Sequence, residues 1–239
     1  MGKSISSGQL KATLAQALNL PERKVDYPHR VVQEQGEVSR GKRGKGGAGV
    51  TPRDAAITIA AVASSFVCTD EILDAVNGFN ALTLAHVAHN NYKGAPSQPA
   101  GSKVFSEHGW NEIVGGPWQC EGFQLPHLQS LPRGHSFIDG LTALIEAARD
   151  YAFEDAIKKA NPKGLSSHNL EVVFWGPEPG AGIQIDLSAG DRTYIEQAQY
   201  FASDEPKLTA AEASACQITF KIDFQPIYAV AKLFREGDR

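Results

Sequence analysis

Residues 39–53 read SRGKRGKGGAGVTPR, with five Arg or Lys (Arg40, Lys42, Arg43, Lys45, Arg53) and five Gly in fifteen positions. Cations on a glycine-rich backbone can meet phosphate in two ways. They can cradle a nucleotide, as Gly36-Glu-Val-Ser-Arg-Gly41-Lys42 would in a GxxxxGK loop, or they can lie along the sugar-phosphate surface of a nucleic acid. The nucleotide reading fails on chemistry. Arg43 stands where Ser or Thr must hold magnesium, VVQEQ ahead of the loop is not a buried parallel strand, and no helix start aims its dipole at a phosphate before Thr51. The plain alternative is a solvated loop.

Other groupings that could do chemistry are weaker. His86 and His89 are three apart on an expected helix and could share a face, with His108, Cys120, His127 or His135 as further metal ligands, but no HExxH pattern or second helical pair completes the set. The pairs Asp139 with Glu146 and Asp150 with Glu154 have the spacing of solvated helix faces. Ser136, in RGHSFIDG, lacks the GxSxG elbow of a serine nucleophile. Trp110 and Trp118 have no basic neighbours, which suits loop anchors or an interface patch better than base stacking. Cys68, Cys120 and Cys216 are odd in number and widely spaced, as reduced thiols are. No catalytic residue, metal site or cofactor is expected, and the protein is not expected to be an enzyme; a metal-dependent site in residues 92–136 stands as one alternative.

The elements around the basic run have an order of their own. Ser6 or Ser7 can cap a helix carrying Leu10, Leu14 and Leu18, which Asn19-Leu20-Pro21 ends. In the next helical stretch, closed by Gly36, Val25, Tyr27, Val31 and Val32 are candidate inward residues, while Arg23, Lys24, His29 and Arg30 are polar. Pro28 is expected to divide it into a short turn over 21–26 and a helix from Tyr27 capped by Asp26. Val38 and Val50 would seed the strands of a β-hairpin with a cationic tip, and Thr51-Pro52 would start a well-buried helix. Helix, turn, helix and basic hairpin make the order of a winged helix-turn-helix. In it Arg23, Lys24, Tyr27, His29 and Arg30 face base edges and phosphates of double-stranded DNA, and Arg40, Lys42, Arg43, Lys45 and Arg53 serve the wing and its base.

The stretch LAQALNLPERKVDYPHRVVQEQGEVSRGKRGKGGAGVTPRDAA is similar to the N-terminal segments of winged helix-turn-helix DNA-binding proteins of bacterial prophages and related elements. The resemblance covers residues 6–60, the N-terminal quarter only. It implies DNA binding and transcriptional control, and nothing about residues 100–239. Pro28 departs from an uninterrupted recognition helix.

Charge divides the chain in the same way. Residues 1–53 hold ten Lys or Arg and four acids, a charge of +6; the other 186 hold thirteen and twenty-three, a charge of −10. Residues 69–91 are expected to form a helix that Gly78 interrupts, 92–136 a long irregular loop, and 136–161 a helix. Strand-like runs follow at 170–175, 182–187 and 216–224, with TYIEQAQYFAS ambiguous and PIYAVAKLFR a closing helix. The class is therefore α+β: a winged helix-turn-helix over 1–60, then an acidic α+β domain over 61–239 with a small antiparallel C-terminal sheet. That domain is expected to dimerise, to meet RNA polymerase or another regulator, or to sense a ligand. The run from Ala55 to Val67 is too short to cross a bilayer and the N-terminus has no secretory apolar core, so a cytoplasmic, nucleoid-associated place is expected. The function expected is that of a sequence-specific, homodimeric transcriptional regulator of phage or prophage-like origin. A DNA-recognising packaging or assembly adaptor of higher oligomeric order is the alternative.

Overall fold

The structure, a computed structural model, describes residues 4–39, 49–68, 71–93, 111–114, 125–162, 166–176, 179–189, 192–202 and 218–237. Helix α1 spans Ser7–Ala17. Ser6 accepts from the Gln9 amide, and the Gln9 side chain returns to the Ser6 amide, so two otherwise orphaned donors are satisfied at once. Leu10 and Leu14 are buried, and Asn19 takes a left-handed conformation (φ 52°) in the turn that follows.

Helix α2, Arg23–Gln35, runs unbroken through Pro28, contrary to the division expected there. Bonding begins upstream: the Lys24 amide reaches the Pro21 carbonyl, and the Val25 and Asp26 amides reach Glu22. The proline therefore removes one interior bond from an established helix, and its ring is buried. Asp26 is no cap; it lies in the first turn, paired with Lys11 at 2.5 Å. Gly36, at φ 87°, closes the helix as expected.

Helix α3, Pro52–Val67, is capped by Thr51 and buried along most of its length. Helix α4, Ile72–Ala81, stops where the sequence pattern continues. Leu82 turns extended, its carbonyl accepts from the Phe137 amide, and the Leu84 amide donates to the His135 carbonyl. The chain then enters strand β1, Thr83–Lys93. The expected helix over 69–91 is corrected here: a register shift between Leu84 and His86 leaves Leu84, Ala85 and Val87 all buried, a spacing that imitates a helix. The loop expected over 92–136 also contains order, in β2 (Asn111–Val114) and the short α5 (Pro126–Gln129). The helix expected over 136–161 is two, α6 (Phe137–Arg149) and α7 (Ala152–Ala160), parted at Tyr151, whose φ is 60°.

Strands β3 (Ser166–Gly176), β4 (Gly180–Ala189), β5 (Arg192–Phe201) and β6 (Ile218–Ile222) precede α8, Phe224–Gly237. The ambiguous TYIEQAQYFAS is thus strand. Among the described residues the sheet has six strands in the order β2-β1-β5-β4-β3-β6, every neighbouring pair antiparallel. It is neither small nor confined to the C-terminus, because β1 pairs with β5 from Thr83 opposite Phe201 to Lys93 opposite Arg192.

One sheet face carries Leu170, Val172, Phe174, Ala181, Ile183, Ile185, Ala198 and Tyr200, all buried. Against it, Phe137 meets Phe174 and Tyr200 edge to face at 5.3 and 5.4 Å and lies 6.3 Å from Phe79. His135 Nδ1 donates to the Pro132 carbonyl, leaving Nε2 to accept from the Tyr200 hydroxyl at 3.0 Å. The buried apolar residues form one cluster that runs from Ile5 to Phe234, so α1, α2 and α3 share a core with the sheet. Phe137→Ala is expected to cost about 3–5 kcal/mol, read as a lower urea midpoint; a loss below about 1 kcal/mol would show that the ring is not wedged among its three aromatic neighbours.

Candidate nucleic-acid interface

Helix α2 has two sides of different chemistry. Val25, Pro28, His29 and Val32 are buried, while Arg23, Lys24, Tyr27, Arg30 and Glu34 are turned outward. Steps of four, three and four from Arg23 through Tyr27 and Arg30 to Glu34 keep these on one face. Tyr27 is 56% exposed, and so belongs to the outer side and not to the inward set. The Arg30 guanidinium lies 5.8 Å from the Tyr27 ring centre and 3.9 Å from Glu34, and the Lys24 ammonium lies 5.7 Å from the ring centre of Phe66.

His29 does not join them. It is 1% exposed, and its Nδ1 lies 3.0 Å from Thr58 Oγ1 on α3. The Thr58 hydroxyl already donates to the Asp54 carbonyl at 2.7 Å, so the imidazole must be the donor, which fixes the Nδ1–H tautomer. Burial first of all, with the Lys11 charge adding to it, pushes the His29 pKa down. A neutral ring sealed between two helices cannot reach a base edge. Its spacing of four from Val25 and three from Val32 is the signal that assigns it to the apolar stripe.

The basic run is held at its base by one carboxylate. Asp54, 4% exposed in the first turn of α3, accepts the Ser39 amide on Oδ1 at 2.9 Å, and on Oδ2 the Thr51 amide at 2.8 Å and the Thr51 hydroxyl at 2.9 Å. The Val50 amide donates to the Ile5 carbonyl at 3.0 Å, and Val38 and Val50 are both buried. These two valines are core anchors and belong to no strand. Arg40, Lys42, Arg43 and Lys45 lie outside the described residues. Arg53, beside Asp54, gives Nη1 to Asp139 Oδ1 at 2.5 Å.

The alternative sites come apart. His86 and His89 lie in β1, so the helical spacing that paired them does not apply. His108, Cys120, Trp110 and Trp118 lie outside the described residues. His127 pairs with Asp150 at 2.9 Å, His135 is taken by Tyr200, and Ser136 and Asp139 cap α6 for each other. Among the described residues no three His, Cys, Asp or Glu gather as metal ligands would. Cys68 is half-buried. No single described helix is long and apolar enough to cross a membrane. Compared with known protein families, curated proteins and solved structures, the chain matches none.

Two outcomes follow for stability. Asp54→Ala strands the Ser39 and Thr51 donors and is expected to cost about 1–3 kcal/mol in urea unfolding, with faster hydrogen exchange at the Ser39 and Thr51 amides. Unchanged exchange at both would refute the clamp. The second concerns pH. Burial holds His29, His135 and His168 below the ordinary 6.5, so the unfolded chain takes up protons that the folded chain refuses. Their contribution is complete above pH 6.5 and declines as pH falls beneath it. Urea midpoints should therefore be level from pH 8 to about 7 and drop towards pH 5, with His29→Gln flattening part of that drop. A midpoint that rises on acidification would contradict the burial of these rings.

Proposed function

We propose that the chain is a sequence-specific double-stranded DNA-binding transcriptional regulator in which α1, its turn and α2 act as the helix-turn-helix and residues 39–49 act as the wing. One observation carries this reading: Arg23, Tyr27 and Arg30 share the outer side of α2, with Lys24 exposed at its edge over Phe66, while His29 on the inner side is bonded to Thr58 of α3. A helix presented in this way fits the major groove. Arginine can hydrogen-bond a guanine edge through two donors, a tyrosine ring can pack on a thymine methyl, and lysine can neutralise phosphate. The Gly-rich cations of the wing suit close approach to the sugar-phosphate surface. The charge of −10 on the remaining residues would be repelled by DNA, which turns the basic quarter towards the duplex. A second copy, joined through the acidic remainder, would let two half-sites add.

The test is selection of bound fragments from random duplexes, followed by fluorescence anisotropy. Arg23→Ala and Arg30→Ala are each expected to weaken the selected site by about 1–3 kcal/mol and to relax preference at one position. Replacing Arg40, Lys42, Arg43 and Lys45 together by Ala should weaken all sequences alike and flatten the log–log salt slope by about 0.9 for each phosphate that is no longer neutralised. An unchanged slope would remove the wing. A selection without any enriched sequence would remove specific recognition.

A further inference from the structure

Arg53 and Asp139 form an ion pair that joins the basic quarter of the chain to the acidic remainder. Each side chain is well exposed, 47% for Arg53 and 39% for Asp139. The bond uses one atom of the guanidinium, Nη1, and one oxygen of the carboxylate, Oδ1. The other oxygen, Oδ2, accepts the Ser136 hydroxyl at 2.7 Å and the Ser136 amide at 3.2 Å, which is the cap of α6. The two oxygens therefore have separate tasks, and Asp139 can release Arg53 while α6 stays capped.

Arg53 also lies at the foot of the basic run. It follows Thr51 and precedes Asp54, the two residues on which the ends of the basic run converge, and Ser39, bonded to Asp54, lies three residues beyond the C-cap of α2. A half-exposed pair holds weakly in water, whereas a DNA phosphate offers a guanidinium two parallel acceptors and the field of its neighbours.

We propose that Asp139 occupies on Arg53 the position of a DNA phosphate, and that the duplex displaces it, so that Asp139 acts as a built-in competitor that lowers the affinity of the basic quarter for DNA. This inference rests on the DNA-binding reading above and gives that site its regulation. Asp139 bears the charge that competes and Arg53 is the group that changes partner, while α3 and α6 stay packed on each other.

The experiment is a double-mutant cycle on the full chain, with anisotropy read on one duplex across a salt series. D139N keeps an amide oxygen for Ser136 and loses the charge. It is expected to tighten binding about two- to fivefold and to leave the salt slope near that of wild type, because Arg53 neutralises the same phosphate in both chains. Arg53→Ala should weaken binding and flatten the slope, and D139N combined with Arg53→Ala should match Arg53→Ala alone. Wild-type affinity in D139N overturns the inference and leaves DNA binding standing. So does a gain from D139N that persists without Arg53, because that is the general effect of removing one negative charge. No binding by the wild-type chain overturns both readings. Circular dichroism and urea unfolding establish that D139N folds. If it does not, the Arg53 side-chain Nε–H resonance of the wild-type chain decides: it shifts on addition of duplex if the exchange occurs and stays in place if it does not.

Discussion

A single buried carboxylate organises the basic end of this protein. Asp54 sits in the first turn of α3, where the helix dipole favours a negative charge, and draws in donors from Ser39 on one side of the basic run and from Thr51 on the other. One turn further along, Thr58 donates to the Asp54 carbonyl and accepts from His29 of α2. The start of α3 thus fixes both where the basic run leaves the body and which side of α2 is turned in. The outward side of α2, with Arg23, Tyr27 and Arg30, follows from that constraint.

The helix that carries this arrangement is itself immobilised. Helix α3 is buried along most of its length and packs on α2, α4 and α6 as well as on β3 and β6, while α1 packs on α8. The proposed DNA-facing surface is therefore mounted on the same apolar core as the six-stranded sheet. Such a mounting keeps a recognition surface in one geometry, as specific contact requires. It also gives a direct mechanical connection between that surface and the acidic remainder, through the Arg53–Asp139 pair and through the packing of α3 on α6.

Local signals in the sequence are legible where each element meets solvent or a cap. Gly36 as a closing residue, Thr51-Pro52 as a helix start and the strand-like runs at 170–175 and 182–187 all correspond to elements of the fold. They mislead where distant partners decide. Leu82 to Val87 has the spacing of a helix, yet hydrogen bonds to His135 and Phe137 and a full ladder with β5 draw it into the sheet. Val38 and Val50 flank the glycines as strand seeds would, but they are buried anchors at the foot of the run. The polarity of His29 suggests an outward side chain, although its spacing places it on the buried stripe. Pro28 does not break α2, because one missing bond is tolerated inside a helix already nucleated from Pro21.

What the sequence determined by itself is therefore chemical and local: the opposite charges of the two parts of the chain, the glycine-rich cluster of cations, the starts of α1 and α3, the close of α2 and the mixture of helix and strand. Each depends on residues adjacent in the chain or one turn apart, and so can be read along a line. Tertiary structure alone decided which faces of α2 are buried, that Asp54 draws the ends of the basic run together, that Arg53 meets Asp139 eighty-six positions away, and that β1 and β2 complete a six-stranded sheet. These depend on loop closure and on burial against partners far off in sequence, where the free energy belongs to the assembled core and no local pattern records it.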